Sequence, residues 1–108
     1  MIFPNPRKYS RKEVLREYKH LRYVRDNPSY FLYFIMDAGV CVYVGETRNI
    51  FWRIAKHKAK CTDASQVYLQ EFENKGQVLR LERHYIQTLK PKFNNRFCQE
   101  GQLELFAA

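Results

Sequence analysis

A chain of 108 residues is long enough for one hydrophobic core and too short for two. Hydrophobic residues at 45% and aromatics at 16%, with four glycines and four prolines, exclude a largely disordered or low-complexity protein. The net charge of +8 is concentrated: residues 1–30 carry eight Lys and Arg against three acids, and residues 48–60 carry five against none. Clustered positive charge is the footprint of a polyanion, because each neutralised phosphate releases condensed counterions; its plainer alternative is a solvated basic face.

The elements follow in chain order. Ser10 and Glu13 fit a capping box, and Val14, Leu15, Tyr18 and Leu21 follow at helical spacing, predicting a helix over residues 11–25 that Asp26-Asn27-Pro28 ends. The apolar runs 30–36 and 40–45 flank Asp37-Ala38-Gly39 and predict an antiparallel hairpin. Tyr33, Ile35, Cys41 and Tyr43 share odd numbering, so the register decides whether the two tyrosines face the same side. Thr47 or Asn49 can cap a second helix over residues 49–60, residues 67–73 alternate like a third strand, and a third helix runs from Asn74 or Lys75 to Leu89 before Lys90-Pro91. The tail carries Leu103, Leu105 and Phe106, which dock as a short strand or stay loose. The expected fold is α+β: a small three-stranded antiparallel sheet flanked by helices in the order α-β-β-α-β-α.

Three scattered cysteines, Cys41, Cys61 and Cys98, have no Cys-x-x-Cys pairing, which argues against a disulfide framework or zinc site and for a reducing compartment. No signal peptide or membrane span is expected, since the apolar stretches fall far short of about 18 residues. The expected location is cytoplasmic.

Glu82 is the sharpest local signal. Val78, Leu79, Tyr85 and Ile86 lie three and four residues to either side, so a helix carries its carboxylate along an apolar stripe, where a charge is costly unless it is paired or binds a metal. Arg53 and His57, four residues apart, share one helix face. Arg offers a fork of donors suited to phosphate, and His57 can hold or move a proton. The plain alternatives are an Arg53–Glu82 ion pair, a solvated basic face, and core tyrosines at 33 and 43. His20 and His84 have no such company.

Tyr33 in Phe31-Leu32-Tyr33, Tyr43 in Tyr43-Val44-Gly45, Arg53 ten residues on, Glu82, and Pro91-Lys92-Phe93-Asn94 agree in type, order and spacing with one pattern. On these residues the chain resembles the GIY-YIG nuclease domains, with Phe31 where the first Gly of the family name stands and Glu46 where many members carry Lys. The resemblance covers about residues 29–96, leaving 1–28 as a basic helical extension and 97–108 as a tail. It implies an endonuclease that hydrolyses DNA phosphodiester bonds with one divalent ion, Mg²⁺ or Mn²⁺, held by Glu82. It implies catalytic roles for Tyr33, Tyr43, Arg53, His57, Glu82 and Asn94, the last functional or structural. Arg11, Lys12, Arg16, Lys19, Arg48, Lys56, Lys58 and Lys60, with Arg7, Lys8, Arg22 and Arg25, would meet the DNA backbone. Selectivity would be structural or weakly sequence-dependent, with a second copy or a partner protein adding more, and the DNA-bound protein would sit with the nucleoid. The competing readings are a non-catalytic nucleic-acid-binding module and a small basic interaction module.

Overall fold

The computed structural model describes residues 7–94. A four-stranded antiparallel sheet is ordered β1-β4-β2-β3, with β1 Arg7–Ser10, β2 Tyr30–Asp37, β3 Val40–Thr47 and β4 Gln66–Phe72. Helix α1 spans Arg11–Glu17, α2 Ile50–Lys56 and α3 Lys75–Leu89, with short 3-10 helices at Lys19–Tyr23 and Lys92–Asn94. The tail residues Leu103, Leu105 and Phe106, and Cys98, lie outside the described residues.

Strand β2 sits between β4 and β3 and is covered on both faces, which is why residues 31–35 read as an unbroken apolar run: all five are buried. On one face Phe31, Tyr33 and Ile35 pack with Val14, Leu21, Ile50, Phe51 and Ile54 from α1, the first 3-10 helix and α2. On the other, Leu32, Phe34 and Val44 pack with Val78 and Ile86 of α3. The hairpin turns on Ala38 and Gly39, both at positive φ (51° and 81°), the two-residue geometry that matches strand twist.

The sheet has four strands rather than three. The added edge strand β1 pairs Arg7–Ser10 with Leu69–Gln66. It is four residues long and begins with two exposed charges, a short protected edge that carries no hydrophobic alternation to betray it. The predicted helix over 11–25 keeps its capping box, with both reciprocal hydrogen bonds, but its α-helical part ends at Glu17. Tyr18 leaves the helix to set its ring edge-on against Phe31 at 5.4 Å and Tyr9 at 5.9 Å, and a tighter 3-10 turn brings Leu21 into the core. Helix α2 also stops early, at Lys56, and the chain turns so that Cys61 donates its N–H to the His57 carbonyl and becomes fully buried.

A bulge interrupts the hairpin: Ile35 pairs with Tyr43 but Met36 with Cys41, leaving Val42 extra. Tyr43, paired ahead of the bulge, shares the face of Tyr33, while Cys41, for all its odd numbering, packs on the α3 face. Strand β3 is an edge strand, and its outward backbone at Val44 is taken by Asn94. The Asn94 Oδ1 accepts the Val44 N–H at 2.8 Å and its Nδ2 donates to the Val44 carbonyl at 3.0 Å, with the side chain 2% exposed. Asn94→Ala strips both partners from a buried backbone unit, and the expected loss is about 2 kcal/mol of stability, read as a lower urea midpoint at unchanged m-value.

Candidate active site

The tyrosine face of the sheet holds a ring stack. Tyr33 and Tyr43 have ring centroids 5.9 Å apart, His57 meets Tyr43 edge-on at 5.5 Å, and the Lys60 ammonium lies 4.9 Å from the Tyr43 ring centre. Strand pairing explains the meeting: Tyr33 lies opposite Gly45 and Tyr43 opposite Ile35, so the tyrosines are diagonal neighbours on one face.

Gly45 makes the packing possible. A Cβ at that position would fall 2.6 Å from the Tyr33 hydroxyl, 2.7 Å from its Cζ and 2.8 Å from Cε2 of Tyr43, closer than real Cβ contacts allow. The Tyr33 ring is fully buried across this bare stretch of backbone, and its hydroxyl has no hydrogen-bond partner of good geometry in the protein. A buried hydroxyl left in that condition is rare and suits a group whose partner comes from outside. Burial pushes the Tyr33 pKa well above the ordinary tyrosine value, the neighbouring Tyr43 adds to this, and Arg53 works the other way. Tyr43 is raised for the same first reason, burial, against the pull of the Tyr33 hydroxyl and Arg53. Both are neutral phenols at physiological pH.

Helix α2 delivers Arg53 and His57. Asn49 caps it, its Oδ1 accepting the Trp52 N–H at 3.2 Å, while Thr47 instead hydrogen-bonds the backbone of Asn49. Burial first, then the charges of Lys60 and Arg53, lower the His57 pKa, so its imidazole is neutral at pH 7 and can accept a proton. Its Nδ1 is buried without a hydrogen-bond partner.

Glu82 comes from the opposite face. On α3 it lies between the buried Val78 and Ile86, one helical turn from each, while Leu79 is turned outward. Its carboxylate is half-buried beside Glu46 of β3, whose backbone N–H donates to it. No ion pair with Arg53 forms: among the described residues the one ion pair is Arg16 with Glu17, at 3.6 Å. Burial first, and the Glu46 charge second, push the Glu82 pKa up to about 7, with Arg53 only partly offsetting them. Among the described residues no group of three or more His, Cys, Asp or Glu is gathered as a metal cage. One carboxylate with a second beside it and no neutralising partner nevertheless suits a hard divalent cation that keeps most of its water shell.

Glu46 is the residue that sequence reasoning did not place with Glu82. It lies opposite Leu32, on the α3 side of β3, and strand alternation from Val44 was the signal that could have found it. Asn94 is brought to β3 with its side-chain amide occupied by the Val44 backbone. His84 lies on the exposed side of α3 against Tyr85, and His20 packs beside Tyr18; neither joins the ring stack.

The basic residues divide. Arg11 donates to the Ala55 carbonyl at 3.3 Å, Arg16 pairs with Glu17, and Arg48 donates twice to the Asn27 carbonyl, at 3.0 and 2.8 Å, while lying over the Tyr30 ring. Lys12, Lys19, Lys56 and Lys58 are exposed. They stand on α1, the first 3-10 helix, α2 and the turn after it, the layer that covers the tyrosine face.

The profile of the GIY-YIG catalytic domain matches residues 29–95. The chain belongs to the GIY-YIG family. This is a family of nucleases, generally dependent on a divalent metal, so the domain is of a nuclease kind and its substrate class is nucleic acid. No curated protein and no solved structure matches the chain significantly. Among the described residues no helix is long and apolar enough to cross a membrane.

Two measurements test this geometry. Gly45→Ala should leave a folded protein in which the Tyr33 ring is displaced, seen as a shifted near-ultraviolet tyrosine signal and a lower melting temperature. For Glu82 the sign follows from its raised pKa: between about 4.5 and 7 the folded protein binds more protons than the unfolded chain, so stability falls as pH rises through that window. In EDTA, Glu82→Gln should therefore melt higher than wild type at pH 8, with the difference shrinking toward pH 5.

Proposed function

We propose that this chain is a metal-dependent endonuclease that hydrolyses DNA phosphodiester bonds with Tyr33, Tyr43, Arg53, His57 and Glu82. The observation that carries the reading is a pair of incompletely compensated groups: the buried Tyr33 hydroxyl, beside Arg53 and Tyr43 but without a hydrogen bond of good geometry, and the half-buried Glu82 carboxylate, which accepts the Glu46 N–H but has no ion pair. A binding module has no use for either, and both cost stability where they stand.

Glu82 would hold one Mg²⁺ or Mn²⁺, with the charge of Glu46 beside it adding to the attraction for a cation. Such an ion supplies charge neutralisation at a phosphate oxygen. Tyr33, a neutral phenol at rest, orients the attacking water through its hydroxyl, and Tyr43 bonds the same water or the phosphate. The neutral His57, packed on Tyr43, accepts a proton at the end of this ring stack. Arg53, beside Tyr33, meets the extra negative charge that develops on phosphorus as the nucleophile adds. Asn94 fixes the strand that carries Tyr43 and Gly45.

The exposed lysines on the tyrosine side would hold the DNA backbone without reading sequence, so selectivity for DNA structure is expected to exceed selectivity for sequence. A single site cuts one strand at a time, and a second copy or a partner protein would serve double-strand cleavage. The free thiols of Cys41 and Cys61 suit a reducing, cytoplasmic setting where DNA is at hand.

Labelled duplex, branched and single-stranded DNA incubated with Mg²⁺ or Mn²⁺ tests the proposal. Wild type should cleave at least one substrate, and Arg53→Ala and Glu82→Ala should each cut at least about a hundredfold more slowly while retaining DNA binding. Binding without cleavage on every substrate in both metals would leave a non-catalytic binding module instead.

A further inference from the structure

Large apolar side chains on a protein surface are ordinary when scattered and informative when gathered among charges of one sign. Six are exposed among the described residues, and three of them, Tyr23 (81%), Val24 (38%) and Trp52 (42%), lie at the junction of the first 3-10 helix with α2. The junction is built rather than loose. The Trp52 indole N–H donates to the Arg22 carbonyl at 3.1 Å, which fixes the ring edge, and with Phe51 set perpendicular to it at 5.1 Å the Trp52 side chain is still 42% exposed. Asn49, the cap of α2, donates to the carbonyls of Leu21 at 2.8 Å and Val24 at 3.3 Å, so the backbone on both sides of Tyr23 is held against the helix that carries Trp52.

Positive charge surrounds these rings. The Arg22 guanidinium lies 4.9 Å from the Tyr23 ring centre and donates to its hydroxyl at 2.8 Å, Arg25 is exposed two residues on, and Lys56 is one helical turn from Trp52. Asp26 is the nearest acid in sequence to Tyr23. Held aromatic faces set among basic heads match what a single nucleic-acid strand offers, since every base has a π-face and every linkage a negative charge. A protein partner offers no such regular pairing of ring and anion. A duplex offers the anions but keeps its bases stacked on each other.

We propose that Tyr23 and Trp52 form a stacking platform for unpaired bases of a DNA strand, placed one helix position from Arg53. The platform rests on the nuclease reading above and refines its substrate: DNA with a single-stranded segment beside the scissile bond, as at a fork, flap or open end. Trp52 and Arg53 are consecutive on α2, so the platform and the guanidinium stand on neighbouring faces of one short helix.

The chain has one tryptophan, so its emission reports this surface alone. The full-length protein in EDTA, where no cleavage occurs, is titrated with a single-stranded oligonucleotide, the same strand built from abasic residues, and a blunt duplex. The base-bearing strand should quench Trp52 emission; the abasic strand and the duplex should bind, by anisotropy of an end label, with little quenching. Tyr23→Ala, with an unchanged urea midpoint, should weaken single-strand binding about tenfold and leave duplex binding within about twofold. Binding of the base-bearing strand without quenching, or equal affinity of Tyr23→Ala for it, overturns the platform and leaves the nuclease reading standing. Failure of every oligonucleotide to bind overturns both.

Discussion

The site depends on one missing carbon. The Tyr33 hydroxyl lies where a side chain at position 45 would have to stand, so the central strand presses a full aromatic ring onto the bare backbone of its neighbour. The next residue back, Val44, is held from the other side by the two hydrogen bonds of Asn94. A strand pinned on its outer edge and stripped of a side chain on its inner face has little freedom to slide or tilt. Tyr33 thereby gains a fixed position, at the expense of a buried hydroxyl that has no hydrogen bond of good geometry within the protein.

Being an edge strand matters as much as the glycine. A sheet separates the chemistry of its two faces, since side chains on a central strand point one way or the other and do not meet. At an edge the faces come together. The tyrosines, Arg53 and His57 belong to the α2 side, Glu82 to the α3 side, and β3 is thin enough at Gly45 and Glu46 for Arg53 to act on the Glu82 carboxylate without bonding to it. That incomplete compensation keeps the carboxylate proton-hungry at neutral pH.

The parts governed by short-range rules were legible in the sequence. The capping box, the hairpin of two apolar runs about Asp37-Ala38-Gly39 and the α3 stripe with Glu82 in it each follow from local pattern, and each is present. What escaped depended on partners far along the chain. The strand at Arg7–Ser10 exists because β4 offers it an edge, not because its residues demand it. The bulge that sends Cys41 across the sheet has no local mark, and Glu46 matters only because α3 brings Glu82 beside it. Spacing alone could not decide between an Arg53–Glu82 ion pair and a charge left open; the geometry does.

Phe31 shows how a departure from the family pattern is absorbed. Where the family name has glycine, this chain places a ring that is 1% exposed and lies edge-on to Tyr18, a residue from the segment ahead of the matched domain. The ring fills the space between β2 and that segment, and Tyr18 leaves the helix to meet it. The same segment is tied to α2 through Asn49 and Trp52, and to the loop before α2 through the hydrogen bonds of Arg48 to Asn27. The residues ahead of position 29 thus brace the helix that carries Arg53. The substitution at Phe31 and the folding of the N-terminal segment onto α2 are two sides of one packing arrangement, and a change in either reaches the guanidinium through a helix only seven residues long.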